Sequence, residues 1–118
     1  MDKLRMIALL LIATMLSCSK RDVGALTACM REEIAAFSTS DRICDHAVVT
    51  EYVFQNQYVY VFNSACCCDW VSEVKDAECK VIGGLGGFAG NNKVNGEDFG
   101  HAKFIREVWR NPLSEQPD

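Results

Sequence analysis

The sequence predicts an α+β fold, in which one N-terminal helix packs on a small antiparallel β-sheet (a hairpin meander) stapled by disulfides. Three features of the sequence support this fold class. Apolar residues recur at steps of three and four in an early segment, runs of β-branched and aromatic residues follow, and six cysteines lie between positions 29 and 79. A helical segment followed by several strands is typical of an α+β domain.

The helix is predicted over residues 25–38, ALTACMREEIAAFS. Its apolar side chains fall on one stripe at helical spacing, as expected for a helix that buries a single face. The stripe is formed by Leu26, Cys29, Met30, Ile34 and Phe37. The polar segment 38–46 that follows is predicted to be a loop.

Four strands are predicted next, at residues 47–55, 58–63, 69–75 and 79–82. The first two are rich in valine, tyrosine and phenylalanine and are separated by a short polar turn, which is the pattern of a β-hairpin. The segment 83–96 contains six of the eight glycines, and its backbone is expected to use positive φ angles that glycine adopts without steric conflict.

The chain is predicted to end in a short helix near residues 97–103 and an extended segment near 105–110. We assign residues 25–112 to a single domain and residues 113–118 to a flexible tail. At about 100 residues without a signal segment, the chain can bury one modest core.

The hairpin turn predicts which strand residues face the helix. A two-residue turn at 55–56 or 56–57 places two sets of residues on opposite faces of the sheet. The first set, Val48, Tyr52, Phe54, Val59 and Val61, is almost entirely apolar and is predicted to lie under the helix. The second set, Glu51, Val53, Gln55, Tyr58 and Tyr60, is predicted to be wetter.

Tyr58 and Tyr60 are therefore the candidate binding surface. An exposed tyrosine offers rigid contact area and a hydroxyl group, which favours recognition. Under the alternative interpretation, the two side chains only stabilise the sheet through cross-strand contacts. A three-residue loop would shift the register and move both tyrosines to the face of Tyr52 and Phe54.

The N-terminus has the pattern of a lipoprotein signal peptide. Lys3 and Arg5 precede an apolar run that is too short to span a bilayer, and the run ends in Leu16-Ser17-Cys18. Residues 1–17 are predicted to be removed, Cys18 to carry the lipid, and residues 18–24 to form a tether. An ordinary signal peptide, cleaved slightly downstream, is the alternative. The expected location is the cell envelope, with the membrane as a partner through the lipid anchor and the outer membrane as the destination.

Six cysteines besides Cys18 are candidates for disulfide bonds, since small exported domains often supplement a limited core in this way. They are Cys29, Cys44, Cys66, Cys67, Cys68 and Cys79. Sequence alone leaves fifteen pairings open. We expect Cys29 to bond to one of the three consecutive cysteines at 66–68 and so join the helix to the sheet. A metal site or a thiol-redox site at this cluster is the competing interpretation, although no C-x-x-C motif is present.

Several classes of function find little support in the sequence. The net charge of −4 and the lack of a basic stripe argue against nucleic-acid binding. Residues 84–89 match G-x-G-x-x-A, but further turn residues follow rather than a long helix, so no cofactor is predicted. His101 with Glu97 and Asp98 forms the one acid–base cluster, and no nucleophile stands beside it. We therefore predict neither catalytic residues nor a metal site.

Short motifs in residues 52–109 resemble an uncharacterised domain family of small Bacteroidota-type lipoproteins. The matching pieces are EYVFQNQYVYVF, CCD at 67–69, GGFAG at 86–90, DF at 98–99 and VW at 108–109. The resemblance implies an envelope location and this fold, and it implies no known activity. Cysteines usual in that family are replaced here by Gly83 and Gly96, so its disulfide connectivity cannot be transferred.

Three hypotheses of function follow from these features, of which the third is a small enzyme that uses His101 and the nearby acids. The first is a non-enzymatic envelope lipoprotein that binds an envelope protein or a glycan. The second is a thiol-redox or metal-handling protein that uses Cys66–Cys68.

Overall fold

A computed structural model describes residues 25–67 and 69–115 of the chain. In this part the chain forms a helix, seven strands and two short 3₁₀ turns. They are α1 (Ala28–Ser38), β1 (Val48–Phe54), β2 (Gln57–Asn63), β3 (Val71–Asp76), β4 (Val81–Gly86), β5 (Lys93–Val94), β6 (Glu97–Asp98), a 3₁₀ turn (Phe99–His101), β7 (Lys103–Arg110) and a second 3₁₀ turn (Pro112–Glu115). The predicted helix, the four strands that follow it and the α+β fold class are confirmed. Strands β5 and β6 were not predicted, and residues 97–103 contain β6 and a 3₁₀ turn in place of the predicted short helix.

Five of the strands form one antiparallel sheet with the order β4-β3-β2-β1-β7. Strands β1 to β4 follow one another as a meander, and β7 returns to pair with β1. Two register shifts interrupt the pairing of β1 with β7, next to Val49 and Glu51. Strands β5 and β6 form a separate two-stranded hairpin.

Helix α1 begins at Ala28 because Thr27 caps it. The Thr27 hydroxyl accepts a hydrogen bond from the Met30 amide at 3.1 Å, which satisfies one of the free N–H groups of the first turn. The same hydroxyl donates to the carbonyl of Ala77 at 2.6 Å and so ties the helix start to the β3–β4 turn. Met30 and Ile34 are buried, as the stripe predicted.

The turn of the β1–β2 hairpin lies at Gln55 and Asn56, because Phe54 pairs with Gln57. Both turn residues have positive φ, the conformation that a two-residue type I′ turn requires. This register confirms one of the two predicted turn positions.

The prediction of which hairpin face lies under the helix is wrong. The helix packs on the face that carries Val49, Tyr60 and Phe62, in a cluster completed by Met30 and Ile34. Glu51, which pairs with Tyr60 across the strands, is on that face as well and is 4 % exposed. The face is therefore buried although it carries a carboxylate and a tyrosine hydroxyl.

The apolar face of the hairpin is covered by the C-terminal part of the chain instead. Phe54, Val59 and Val74 form a second buried cluster with Val94 of the small β5–β6 hairpin. Phe99 packs on this cluster, with its ring centroid 5.1 Å from that of Phe54. The sheet thus has a layer on each face, and its almost entirely apolar face is covered by the β5–β6 hairpin and Phe99 and not by the helix.

The glycine-rich segment continues β4 as far as Gly86 and then forms a turn. Gly87 has a φ of +76°, and a Cβ atom built there would lie 2.7 Å from Cγ2 of Val71. Both the backbone conformation and the close approach to β3 therefore require glycine at this position. Gly86 and Gly90 also have positive φ, as predicted for this segment.

Disulfide bonds join Cys29 to Cys79 and Cys44 to Cys66. The expectation that Cys29 pairs within 66–68 is wrong, because the start of α1 lies over the β3–β4 turn and brings Cys29 within 6.2 Å of Cys79 between Cα atoms. Cys67 is disulfide-bonded too. Cys68 lies outside the described residues, as does Cys18.

No helix among the described residues has the length and apolar character needed to cross a membrane. The first three residues of the predicted tail, 113–115, belong to the 3₁₀ turn Pro112–Glu115. Asn111, just before this turn, is buried and joins it to the loop after α1, since its side-chain amide donates to the carbonyl of Cys44 at 3.1 Å.

Candidate functional site

The two tyrosines predicted as a binding surface have different environments. Tyr58 is 39 % exposed near the hairpin turn, whereas Tyr60 is 3 % exposed beneath the helix. The prediction of a paired tyrosine surface is therefore wrong for Tyr60, because α1 covers the face on which it lies. Tyr58 alone cannot supply the two-ring surface that the sequence suggested.

Tyr60 belongs instead to a buried polar network. Its hydroxyl donates to Oε2 of Glu51 at 2.7 Å, and Nε of Arg106 donates to Oε1 of the same carboxylate at 3.2 Å. Burial and the hydrogen bond to Glu51 raise the pKa of Tyr60 well above its ordinary value. The guanidinium of Arg106 compensates the buried carboxylate, so this arrangement has the character of a structural network.

The predicted acid–base cluster lies on the surface. The Nδ1 atom of His101 is 3.3 Å from Oε2 of Glu97, and the histidine side chain is 68 % exposed. Asp98 does not contact the histidine; its carboxylate accepts from the amide of Gly100 and caps the short 3₁₀ turn. The His101–Glu97 pair is thus open to solvent, and the sequence-predicted cluster of three residues is reduced to this pair.

The cysteine cluster at 66–68 is held in the oxidised form where the structure describes it, since Cys66 and Cys67 are both disulfide-bonded. Within residues 25–67 and 69–115, no group of three or more histidine, cysteine, aspartate or glutamate side chains is placed to hold a metal ion.

A groove between the helix and the sheet is the candidate functional site of the domain. Its cavity volume is about 350 Å³, and we call it the Trp70 groove. It is lined by three aromatic residues (Phe37, Phe62, Trp70), four charged residues (Glu33, Arg42, Glu73, Lys75) and smaller residues between them (Ala36, Ser40, Ile43, Ser64, Val71). Pockets for small molecules commonly have this composition of apolar walls with a few polar groups.

The groove exists because α1 covers only part of the sheet. The helix packs on residues of β1, β2 and β7, and the same face of β3 is left partly open. Val71, Glu73 and Lys75 alternate along β3 and therefore point to this open face. Glu33 and Phe37, one turn apart on α1, form the opposite wall.

The wall formed by the loops is held by covalent and hydrogen bonds. The Cys44–Cys66 disulfide joins the loop after α1 to the segment after β2. The amide of Cys44 donates to the carbonyl of Ser64 at 2.9 Å, and the amide of Arg42 donates to the Ser40 hydroxyl at 3.1 Å. These links fix both loops, so the groove is present before any ligand arrives.

Lys75 organises the charges of the groove. Its ammonium donates to Oε2 of Glu33 at 2.8 Å and lies 3.6 Å from Oε2 of Glu73. It also lies 4.8 Å from the ring centroid of Phe62, within the range of a cation–π interaction. The lysine side chain is 12 % exposed, whereas the Glu33 and Glu73 side chains are 38 % and 56 % exposed. The carboxylates are thus accessible from solvent, and the ammonium lies deeper between them.

The aromatic part of the groove has a packed base and an exposed rim. Phe37 and Phe62 contact edge to face with centroids 5.3 Å apart, and Phe37 also contacts Trp109 in the same geometry at 5.7 Å. Trp70 is 50 % exposed and Val71 is 53 % exposed. The rim therefore presents a large indole surface to solvent.

Sequence reasoning did not identify this groove. One signal was available: Val71, Glu73 and Lys75 occupy alternate positions of β3 and therefore place two charged residues on one face of that strand. Such a pattern indicates a face that is only partly covered. The distance of the helix from β3, which opens the groove, depends on the tertiary packing of Met30 and Ile34 and has no signature in the local sequence.

Comparison with known proteins adds a family and no relative of known activity. Residues 35–111 match a family described as a domain of unknown function, DUF6970. Neither the curated proteins nor the solved structures gave a match. Since the match spans well over half of the chain, the protein belongs to the DUF6970 family of domains of unknown function.

Proposed function

We propose that this protein is an envelope lipoprotein, anchored through Cys18, whose stapled domain is a non-enzymatic binding module. The observation that carries the proposal is the pair of disulfides Cys29–Cys79 and Cys44–Cys66. Such bonds persist in oxidising compartments outside the cytoplasm. They agree with the export pattern of the first 18 residues, which the structure does not describe.

The anchor is proposed from the sequence Leu16-Ser17-Cys18, with residues 1–17 as the removed signal and 18–24 as the tether. A lipid carrying several acyl chains gives stable membrane attachment, whereas one chain gives marginal binding. Ser19 follows the anchor, and we propose transfer to the outer membrane on the basis of that residue.

Binding is proposed over catalysis because the Trp70 groove has recognition chemistry without a reaction centre. It offers an exposed indole and accessible carboxylates, while its lysine is already paired with Glu33. The histidine that could act as a base, His101, is on the surface with Glu97 and does not line the groove.

Metabolic labelling with an alkyne fatty acid tests the anchor in the full-length chain. We expect the wild-type protein to be labelled and to fractionate with membranes, and Cys18→Ser to lose the label because the thiol that forms the thioether is gone. Ser19→Ala is the matched control and should remain labelled, since it keeps the thiol. A Cys18→Ser protein that is still processed, labelled and membrane-bound would contradict the proposal.

A further inference from the structure

The Trp70 groove has a charge balance that selects among classes of ligand. Four charged side chains line it, the carboxylates of Glu33 and Glu73 and the cationic groups of Arg42 and Lys75, and their formal charges cancel. An anionic ligand would meet two carboxylates, and a cationic ligand would meet an ammonium already seated between them. Neither class of charged ligand is complemented by the groove as a whole.

A purely apolar ligand also fits poorly. It would remove water from the Lys75–Glu33 ion pair and from the half-exposed carboxylate of Glu73 without replacing the lost hydrogen bonds. Desolvating charged groups without new partners is unfavourable. We therefore expect a ligand for this groove to supply hydrogen-bond donors and acceptors and to carry no net charge.

Sugar hydroxyls meet this requirement, because each hydroxyl both donates and accepts a hydrogen bond. Carboxylates accept hydrogen bonds from sugar hydroxyls, and an ammonium or guanidinium group donates hydrogen bonds to the hydroxyl oxygens. The C–H faces of a pyranose ring are apolar and flat, and the half-exposed indole of Trp70 offers a matching surface. The cavity, about 350 Å³, is at the small end of the range of about 300–1,000 Å³ for ligand pockets.

From these observations we infer that the Trp70 groove binds one or two sugar units of an uncharged oligosaccharide, with Trp70 stacking on a sugar ring and Glu33 and Glu73 accepting from its hydroxyls. The inference deepens the proposed function, on which it rests, by naming the class of ligand. The Cys44–Cys66 bond contributes by holding the loop wall in place, so little ordering is needed on binding.

The two tryptophans of the chain make the test direct. Trp109 packs against Phe37 in the core, so Trp109→Phe keeps an aromatic ring there and leaves Trp70 as the sole indole. The full chain is produced with export and purified, with any detergent chosen to lack a sugar headgroup. Uncharged oligosaccharides of glucose, galactose, mannose and N-acetylglucosamine are then titrated at up to millimolar concentration, with sulfated oligosaccharides and polylysine as charged comparators.

We expect a saturable change in Trp70 fluorescence with at least one uncharged oligosaccharide and none with the charged comparators. In the wild-type background, calorimetry should show that Trp70→Ala weakens this binding about tenfold or more, as expected for a central aromatic contact. Glu73→Gln should weaken it less, because the amide still accepts a hydrogen bond. Circular dichroism establishes that each variant is folded.

Phe104→Ala is the matched control. Phe104 is an aromatic residue of similar exposure, 57 %, but it contacts Tyr52 on the opposite face of the sheet. Its variant should bind with wild-type affinity. The inference is overturned if no uncharged oligosaccharide binds, if only a charged comparator binds, or if Phe104→Ala weakens binding as much as Trp70→Ala does.

The failure of this inference can be separated from the failure of the proposed function. If sugars do not bind but chemical cross-linking in the native envelope joins the lipidated protein to another envelope component, the sugar ligand is wrong and the binding module stands. If the chain is neither lipidated nor cross-linked to anything, the proposed function fails as well.

Discussion

At the scale of single residues, the Glu51 carboxylate is a buried charged group, with 4 % of the residue exposed. Tyr60 and Arg106 each donate one hydrogen bond to it, and none of the buried side-chain polar atoms in residues 25–67 and 69–115 lacks a partner. A buried carboxylate without such partners would be strongly destabilising. The network explains how a face that carries a charge can still lie under the helix.

Tyr60→Phe should destabilise the fold by about 1–3 kcal/mol at neutral pH, because Glu51 then loses one of its two hydrogen-bond donors in a buried site. The difference from wild type should narrow as pH rises above about 10. There the unfolded tyrosine loses its proton, whereas the raised pKa of Tyr60 keeps the folded side chain protonated, so the wild-type stability falls.

Urea denaturation of both proteins at neutral and alkaline pH measures this difference. Tyr58→Phe is the matched control, since Tyr58 is partly exposed and no hydrogen bond of its hydroxyl is observed among the described residues. It should change the free energy of unfolding by less than about 0.5 kcal/mol. Equal effects of the two substitutions at neutral pH would contradict the role assigned to Glu51.

Glu51 and Tyr60 also show how much of the hairpin's packing could be predicted from the sequence. Alternation along β1 and β2 correctly separated the residues into two faces, because the pleat fixes that pattern whatever the tertiary structure. It could not tell which face lies under the helix. Polar residues on opposite strands, such as Glu51 and Tyr60, satisfy one another only once the register pairs them. The second donor to Glu51, Arg106, comes from β7 and lies 55 residues away along the chain.

At the scale of elements, the start of α1 is the best-anchored point of the helix. Thr27 caps the helix and bonds to the β3–β4 turn, and two residues later Cys29 is bonded to Cys79 of that turn. Glu33 adds an ion pair to Lys75 of β3 one turn further on. The start of α1 and the β3–β4 turn are therefore held together. The Trp70 groove lies toward the C-terminal end of the helix, where Ala36 and Phe37 line it.

The helix itself could be predicted because its stripe of apolar residues is a local property of the sequence. The partner of Cys29 could not, since it depends on how far along the sheet the helix start reaches. Cys79 lies in the β3–β4 turn with a φ of 67°, and its Cα atom is 6.2 Å from that of Cys29.

Thr27→Ala should lower the free energy of unfolding by about 2 kcal/mol, since it removes an N-cap worth about 1 kcal/mol and a side-chain hydrogen bond worth about the same. Thr27→Ser retains the hydroxyl and should be close to wild type. Thermal and urea denaturation of the oxidised proteins measure both values. A loss of equal size in both variants would show that the methyl group of Thr27, and not its hydroxyl, stabilises the helix start.

At the scale of the whole molecule, the sheet is a central layer with α1 on one face and the β5–β6 hairpin on the other. The family match begins at residue 35, after the two helix residues that are most buried, Met30 and Ile34. The matched region therefore contains the sheet and its second cluster but only the last turn of the helix. The buried cluster beneath the helix therefore includes residues on both sides of position 35, where the family match begins.

We expect the folding unit to begin at residue 25 and not at residue 35. A chain of residues 39–115 lacks α1, so Val49, Tyr60 and Phe62 lose their cover and Cys79 loses its partner. Burial of Met30 and Ile34 contributes about 1.5–3 kcal/mol each, and a disulfide that closes a loop of 50 residues contributes about 4 kcal/mol. Their combined loss is comparable to the whole stability of a small domain, about 5–15 kcal/mol.

The chain of residues 39–115 should therefore show no cooperative thermal unfolding and no fixed near-ultraviolet circular dichroism from its tryptophans, while the chain of residues 25–115 should show both. A Cys79→Ala version of the shorter chain removes the unpaired thiol and guards against aggregation through mixed disulfides. Cooperative unfolding of that version would contradict the expectation and show that the sheet, with the β5–β6 layer alone, forms a stable unit. In that event α1 would dock on a sheet that folds without it and would cover Tyr60. The Trp70 groove would then form only when the helix docks.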